Sequence, residues 1–304
     1  MLGHSTSGKT TFMAALYYRM TNGLYNYKMK YDKWANYWYK RHTLNNYYYT
    51  LEEAEKEEKE LNQISLNVTK GIYPPPTAIK QEYVFTMQYA DYKEIRFNWF
   101  DYRGGALMER SNQNDDSMAL MSKIKNSDAL VVFLDGKKLE EPISKNEREF
   151  RRLIYLIKRA ISNISVEDGS YFPISFVITK DDLCNDVLNS EGYAYFWENI
   201  LNDIVQSNKI AGLITCTTIN SQNIYNVHWP LLFSLNYNIY KFANEVFAAY
   251  QQRDNNRGLW GRIEEWWTDN DKNTTLKIIN ELQESVNVIN EVLNEQNRNS
   301  LLLI

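Results

Sequence analysis

Apolar residues in this chain fall into short continuous runs, separated by longer segments with helical spacing. Three runs, Ala129–Leu134, Ile174–Ile178 and Leu213–Thr218, have the length and composition of strands buried on both faces. Helical patterns lie between them, as in residues 146–164, where apolar side chains recur on one face. Strands that alternate with helices predict an α/β protein with a mostly parallel sheet.

The remaining pattern predicts further elements around that sheet. Glu82–Tyr89 and Ile95–Phe100 are strand-like and separated by a short break, which predicts an antiparallel pair. Helices are expected at residues 9–21, 51–61 and 229–252. We therefore expect a three-layer αβα domain with a mostly parallel sheet and one antiparallel strand. Its parts are a domain at 1–252, a helical, aromatic-rich insertion at 24–70 within it, and a helical C-terminal extension at 253–304.

Composition narrows the class of protein. The 304 residues are 44% hydrophobic and 14% aromatic, which excludes extensive disorder. The net charge of -4 argues against a chain that coats nucleic acid or an anionic membrane. Two cysteines and three scattered histidines give neither a disulfide framework nor zinc-ligand spacing. Without a membrane-spanning run or a signal peptide pattern, we expect a cytoplasmic protein.

The N-terminal segment Gly3-His4-Ser5-Thr6-Ser7-Gly8-Lys9-Thr10 fits the phosphate-loop pattern G-x-x-x-x-G-K-[ST] at every position. Glycines let the backbone wrap closely around phosphate, and the following helix directs its positive end at the same place. The lysine supplies a charge to the β/γ-phosphates and the threonine hydroxyl a ligand to Mg²⁺. The expected phosphate-binding residues are Gly3, Ser5, Ser7, Gly8, Lys9, Thr10 and Thr11. Only two residues precede Gly3, so we expect upstream residues to complete the first strand.

A second motif selects among nucleotides. Thr179-Lys180-Asp181-Asp182 follows the strand at 174–178 and resembles the [N/T]-K-x-D signature of the Ras-like GTPase superfamily. The resemblance implies a P-loop NTPase fold, with the Lys180 stem packed on the purine and Asp182 accepting hydrogen bonds from guanine N1–H and its 2-amino group. It also implies that Thr179 braces the loop and that a further base contact lies near Thr217.

Two more segments resemble the switches of this superfamily. Phe100-Asp101-Tyr102-Arg103-Gly104 matches its D-x-x-G motif, which implies that Asp101 holds Mg²⁺ and that the Gly104 amide contacts the γ-phosphate. Thr77, after three prolines, stands where the first switch is expected, and its implied role is to ligate Mg²⁺ and contact the γ-phosphate. Lys9, Thr77 and Gly104 are therefore the expected catalytic residues, and Thr10, Thr77 and Asp101 the expected metal ligands.

Two departures from the superfamily affect the functional prediction. Gly105 stands where many small GTPases have a glutamine that orients water, so we expect slow or partner-activated hydrolysis, with Arg103 a candidate for charge stabilisation. Residues 24–70 are an insertion rich in Tyr and Trp, which fits either a partner surface or a small core of its own. The order of segments is similar to that of divergent bacterial GTPases of conflict systems.

The sequence therefore predicts a GTP-binding switch that uses GTP, GDP and Mg²⁺. The expected protein partner, an effector or an activator, would bind through the insertion or the C-terminal helix. Two alternatives stay open: a nucleotide-binding interaction module with little or no hydrolysis, and a P-loop ATPase in which the 179–182 motif is coincidental.

Overall fold

The described part of the chain contains ten strands and eight α-helical segments, with the strands arranged in a central five-stranded sheet, a three-stranded sheet and a two-stranded hairpin. The computed structural model describes residues 1–4, 6–24, 27–44, 46–75, 81–89, 94–101, 115–164, 171–207, 209–238 and 301–303. The strands are β1 (Leu2–Gly3), β2 (Tyr27–Tyr31), β3 (Gln81–Tyr89), β4 (Glu94–Asp101), β5 (Leu130–Asp135), β6 (Phe172–Thr179), β7 (Ile210–Cys216), β8 (Thr218–Ile219), β9 (Ile224–Tyr225) and β10 (Leu301–Leu303). The helices are α1 (Lys9–Thr21), α2 (Lys33–Trp38), α3 (Leu51–Val68), α4 (Asp115–Lys125), α5 (Gly136–Glu140), α6 (Ile143–Asn163), α7 (Glu191–Ser207) and residues 229–238.

The central sheet has the order β1-β5-β6-β7-β10. Its first four strands are parallel, and β10 runs antiparallel to β7, with Leu302 opposite Ile214. The predicted α/β class and mostly parallel sheet are confirmed. The prediction of a helical C-terminal extension is wrong for residues 301–303, which form a strand because the backbone groups on the outer edge of β7 provide hydrogen-bonding partners. Residues 239–300, which include the rest of that extension, lie outside the described residues.

Helices cover both faces of the central sheet, in agreement with a three-layer αβα arrangement. Successive β5 side chains alternate between two apolar clusters: Val131 and Phe133 join one, and Val132 and Leu134 join the other. The first cluster includes α1 and residues 229–238, and the second includes α4, α6 and α7. Burial on both faces explains why these strands read as continuous apolar runs.

The second sheet is antiparallel and has the order β2-β3-β4. The predicted antiparallel pair is confirmed as β3 and β4, in which Phe85 lies opposite Phe97. Strand β2 lies inside the insertion that we expected to be helical, so that expectation is wrong for residues 27–31. Tyr27, Met29 and Tyr31 are buried there while the intervening lysines are exposed, which is the period of a strand with one covered face.

The two sheets meet along β1. The Met1 nitrogen donates to the Phe100 carbonyl oxygen at 2.9 Å, while Leu2 pairs with Val132 of β5. Strand β1 therefore lies between β4 and β5, and the C-terminal ends of all three strands lie at the same edge. A groove of about 630 Å³ borders the opposite end of β1, between β4 and β5.

The helical part of the insertion packs on the second sheet. The helix predicted at 51–61 is confirmed as α3, which continues to Val68 and begins with a capping box between Thr50 and Glu53. Glu57 on α3 accepts hydrogen bonds from the hydroxyls of Tyr31 and Tyr49, so α3 is tied to β2 and to the segment that precedes the helix.

Candidate functional site

The sequence-predicted residues that the structure describes converge on the C-terminal edge of the parallel strands. Gly3 ends β1, Asp101 ends β4, Thr179 ends β6, and Thr217 follows β7. Ligands of open α/β sheets bind at this edge. Ser5, Thr77, Arg103, Gly104 and Gly105 lie outside the described residues, so the predicted contacts of the two switches stay predictions.

The loop between β1 and α1 is closed by its own hydrogen bonds. The Ser7 N–H and the Ser7 hydroxyl both donate to the His4 carbonyl oxygen, at 3.1 and 2.8 Å. Gly8 has a φ of 77°, and its carbonyl oxygen accepts from Phe12 N–H as α1 begins. Thr10 and Thr11 stand in the first turn of that helix. This places the N-terminal end of α1 next to a tight loop.

Gly3 is required by close packing. Its φ is 151°, and a Cβ at this position would lie 2.9 Å from the Phe133 carbonyl oxygen and 2.8 Å from the Ser7 hydroxyl oxygen. Cβ atoms in proteins essentially never approach other atoms this closely. The Phe133 oxygen belongs to the backbone, so it cannot move aside as the end of a flexible side chain can. The loop therefore approaches β5 as closely as only a glycine allows.

Lys9 is a buried cation that is directed back into the loop. Its ammonium donates to the carbonyl oxygens of Gly3 and His4, each at 2.7 Å, and only 5% of the residue is exposed. Burial lowers the pKa of Lys9 to about 8, and the nearby charge of Asp101 opposes that shift. The buried ammonium gives the loop a positive charge of the kind that an anionic ligand can neutralise.

Thr10 and Asp101, both predicted metal ligands, contact each other. The Thr10 hydroxyl donates to the Asp101 Oδ2 at 2.9 Å across 91 positions of sequence, and Asp101 is fully buried. A hydroxyl and a carboxylate are hard oxygen donors of the kind that Mg²⁺ prefers, so this pair fits a magnesium ion. Within the described part of the chain, no group of three or more His, Cys, Asp or Glu residues is arranged to hold a metal.

His4 anchors the loop to the helical layer. Its Nε2 donates to the Glu149 carbonyl oxygen on α6 at 3.2 Å, and its Nδ1 lies 3.5 Å from a Glu149 carboxylate oxygen. Burial lowers the pKa of His4, with Glu149 opposing the shift. The sequence pattern leaves this position variable and did not indicate the anchor.

Thr179 joins the two predicted motifs. Its hydroxyl lies 3.2 Å from the carbonyl oxygens of both Ser7 and Leu134, so the end of β6 braces the loop after β1. The methyl carbon of Thr179 lies 3.7 Å from the position that a Cβ on Gly8 would take. The two motifs are thus neighbours in the fold, although 172 positions of sequence separate Ser7 from Thr179.

Lys180 is held by a residue that the sequence analysis missed. Lys180 has a φ of 60°, and its ammonium pairs with the Asp135 carboxylate at 2.5 Å. Asp135 ends β5 and also caps α5 by accepting from Lys137 N–H. The pair lies at the same sheet edge and fixes the direction of the aliphatic stem of Lys180. Asp135 could have been found from the sequence, because it is an aspartate at the end of a buried strand. Ligand-contacting residues of parallel sheets occupy that position.

Asp182 lies exposed on a short turn and contacts a hairpin that sequence analysis did not predict. Its Oδ2 accepts from the Asn220 amide nitrogen at 2.8 Å. Thr217, the predicted base contact, is buried, and both its N–H and its hydroxyl donate to the Ile178 carbonyl oxygen, at 2.7 and 3.2 Å. Its carbonyl oxygen accepts from Asp181 N–H, so Thr217 supports the turn that carries Asp182.

The same hairpin, β8 and β9, contacts the segment that leads toward the predicted first switch. The Tyr73 hydroxyl donates to the Ile219 carbonyl oxygen at 3.1 Å. Gly71 lies so close to Ser221 that a Cβ on the glycine would stand 3.3 Å from the serine Cβ. Residues 71–75 therefore run beside the hairpin that contacts Asp182.

Cysteine chemistry does not fit this site. Burial raises the pKa of the Cys184 thiol to about 11 and that of Cys216 to about 12. Both cysteines are free. Neither is a thiolate nucleophile at neutral pH.

Neither the hydropathy of the described helices nor comparison with known proteins indicates a function. Among the helices in the described ranges, none combines the length and apolar character that a bilayer crossing requires. In comparisons with known proteins, no family model, no curated protein and no solved structure matches this chain.

Proposed function

We propose that the protein is a P-loop GTPase that binds GTP and GDP with Mg²⁺ at the C-terminal edge of its parallel sheet. One observation carries the proposal: the hydrogen bond between Thr179 and the Ser7 carbonyl oxygen joins the phosphate-loop motif to the guanine motif. Either motif alone is short. Their contact at the edge where α/β sheets bind ligands is what two halves of one nucleotide site require.

The phosphate half of the proposed site depends on Lys9, Thr10 and Asp101. Lys9 is already buried within the loop, so its ammonium can neutralise phosphate charge without a large rearrangement. Thr10 and Asp101 would hold Mg²⁺, the hydroxyl directly and the carboxylate directly or through water. When bound, the metal neutralises charge that develops on the phosphate oxygens.

The base half depends on Lys180 and Asp182. The Asp135 pair directs the Lys180 stem, which presents an apolar surface to a purine ring. The oxygens of the Asp182 carboxylate accept hydrogen bonds, and guanine presents two donors on one edge where adenine does not. This charge and donor pattern supports GTP over ATP.

Hydrolysis would convert GTP and water to GDP and phosphate. Gly105 follows the D-x-x-G motif and has no side chain with which to orient water. We therefore propose slow intrinsic turnover, or turnover completed by a partner protein. The second candidate function is a nucleotide-binding interaction module with little or no hydrolysis. Gly105 favours this function too, because it has no side chain that could orient water.

Substitution of Asp182 tests the base assignment. Asp182→Asn replaces an acceptor by a donor, so GTP affinity should fall at least about tenfold while affinity for xanthosine triphosphate rises. The measurement is equilibrium binding of both nucleotides with Mg²⁺. Asp186→Asn is the matched control, because Asp186 is another exposed loop aspartate and its carboxylate contacts the Asn189 amide. Unchanged GTP affinity in Asp182→Asn would remove the guanine assignment.

A further inference from the structure

Asn220 holds a fixed orientation at the turn of the β8–β9 hairpin. Its Oδ1 accepts from Gln222 N–H at 3.0 Å and from Asn223 N–H at 2.8 Å. Its backbone N–H donates to the Asn223 carbonyl oxygen at 2.9 Å. Because two backbone N–H groups donate to Oδ1, the side-chain oxygen of Asn220 is assigned. The amide nitrogen, Nδ2, must therefore lie on the side opposite the turn.

The amide nitrogen of Asn220 faces Asp182. It donates to Asp182 Oδ2 at 2.8 Å, and within the described residues no lysine or arginine forms an ion pair with this carboxylate. Asp182 is exposed, and an exposed aspartate side chain has several rotamers available to it. The bond from a rigid turn selects one of them.

We propose that Asn220 is a positioning residue for base recognition, which holds the Asp182 carboxylate in the orientation that reads guanine. This inference rests on the proposed function. Each carboxylate oxygen has two acceptor positions, so the bond from Asn220 leaves room for the N1–H and the 2-amino group of guanine. An orientation set before binding avoids the entropy cost of ordering the side chain at that moment.

The test variant is Asn220→Asp. The new carboxylate keeps both acceptor bonds of the turn but loses the donor and places a second negative charge against Asp182. Asn223→Asp adds the same charge at an exposed position in the same hairpin and is the control. Binding of GTP, inosine triphosphate and ATP with Mg²⁺ is measured for each protein, because inosine lacks the 2-amino group and adenine lacks both donors.

In Asn220→Asp, GTP affinity should fall about tenfold or more, with a smaller loss for inosine triphosphate and none for ATP. Asp181 and Lys180 flank Asp182 in all variants, so their contribution cancels in the comparison with Asn223→Asp.

Two results separate this inference from the proposed function. A wild-type protein without any preference for GTP over ATP would remove both. A wild-type preference that survives unchanged in Asn220→Asp would overturn the role of Asn220 alone. If Asn220→Asp does not fold, Asn220→Ala gives the same comparison, with loss of the guanine preference expected and its retention contradicting the inference.

Discussion

At the scale of single residues, the loop after β1 contains two glycines that are held by different physical constraints. Gly3 has atoms of Phe133 and Ser7 where a side chain would begin. At Gly8 a Cβ would meet only ordinary van der Waals contacts with Thr179, but the φ of 77° is one that residues with a side chain adopt at a cost. One constraint is packing, and the other is backbone conformation.

These constraints predict different effects of alanine. Gly3→Ala should lower the free energy of unfolding by about 3 kcal/mol, because backbone of β5 must move as well as the Ser7 side chain. Gly8→Ala should cost about 1 kcal/mol, which is the strain of the left-handed conformation alone. Urea denaturation of both variants measures the difference. Equal stabilities of the two variants would contradict the close approach of the loop to β5.

At the level of residues, the sequence identified candidate site residues only where a local motif marks them, and their binding roles stay predictions. Thr10 and Asp101 were expected to share a ligand, and they contact each other. Asp135 and Asn220 were missed because each acts on a motif residue 45 or 38 positions away, and no local pattern marks such a partner. The topology of the sheet creates those contacts.

At the scale of elements, the helices of the insertion are attached to the second sheet by polar side chains. Asn36 on α2 bonds both backbone groups of Val84, with Nδ2 donating to the oxygen and Oδ1 accepting from the nitrogen. The side chain thereby continues the ladder of β3 beyond the end of β2. The partly buried Glu57 on α3 accepts from the hydroxyl of Tyr31 on β2 at 2.9 Å.

Strand β2 shows what limited element prediction here. Its alternation of buried and exposed residues is present in sequence but covers only five positions, inside a segment whose many Tyr, Trp and Asn residues dominate the composition. By contrast, α3 was predictable, because its charged residues extend over several helical turns. Short strands need a partner strand to be recognised, and the nearest paired residue of β3, Phe85, lies well beyond α3 in sequence.

The Glu57 contacts predict a difference between two glutamates of the same helix. Glu57→Gln removes the charge that Tyr31, Tyr49 and Lys40 share, and should lower the free energy of unfolding by about 2 kcal/mol. Glu60→Gln is the control, because Glu60 forms an exposed pair with Lys56 at 3.8 Å and should change stability by less than about 0.5 kcal/mol. Chemical denaturation of both proteins measures the difference, and an equal effect would show that the partly buried contacts of Glu57 add nothing.

At the scale of the whole molecule, the two sheets and both helical layers enclose two apolar clusters, one on each face of the central sheet. Alternating strands and helices in sequence were sufficient to predict these layers. The pairing of β10 with β7 was not predictable, because three consecutive leucines carry no register information and lie far along the chain from their partner strand.

The stability of this arrangement should depend on pH through His228, which lies in the first cluster's layer beside Trp229. Burial lowers the pKa of His228 to about 4, against 6.5 for the unfolded chain, and Arg19 adds to the shift. Between these values the unfolded state binds the extra proton, so the free energy of unfolding falls as the pH drops, by about 2 kcal/mol at about pH 5. Denaturation of wild type and His228→Gln at about pH 7 and pH 5 isolates this contribution. An equal pH dependence in both proteins would contradict a neutral buried histidine.

Equilibrium binding of GTP and ATP to the wild-type protein, with and without Mg²⁺, tests the central claim most directly. A site formed by the loop of Lys9 and the carboxylate of Asp182 should bind GTP at least about 100-fold more tightly than ATP, and magnesium should strengthen triphosphate binding. Lys9→Ala should weaken both nucleotides and leave the preference in place. Equal affinities for GTP and ATP, or no binding of either, would contradict the account.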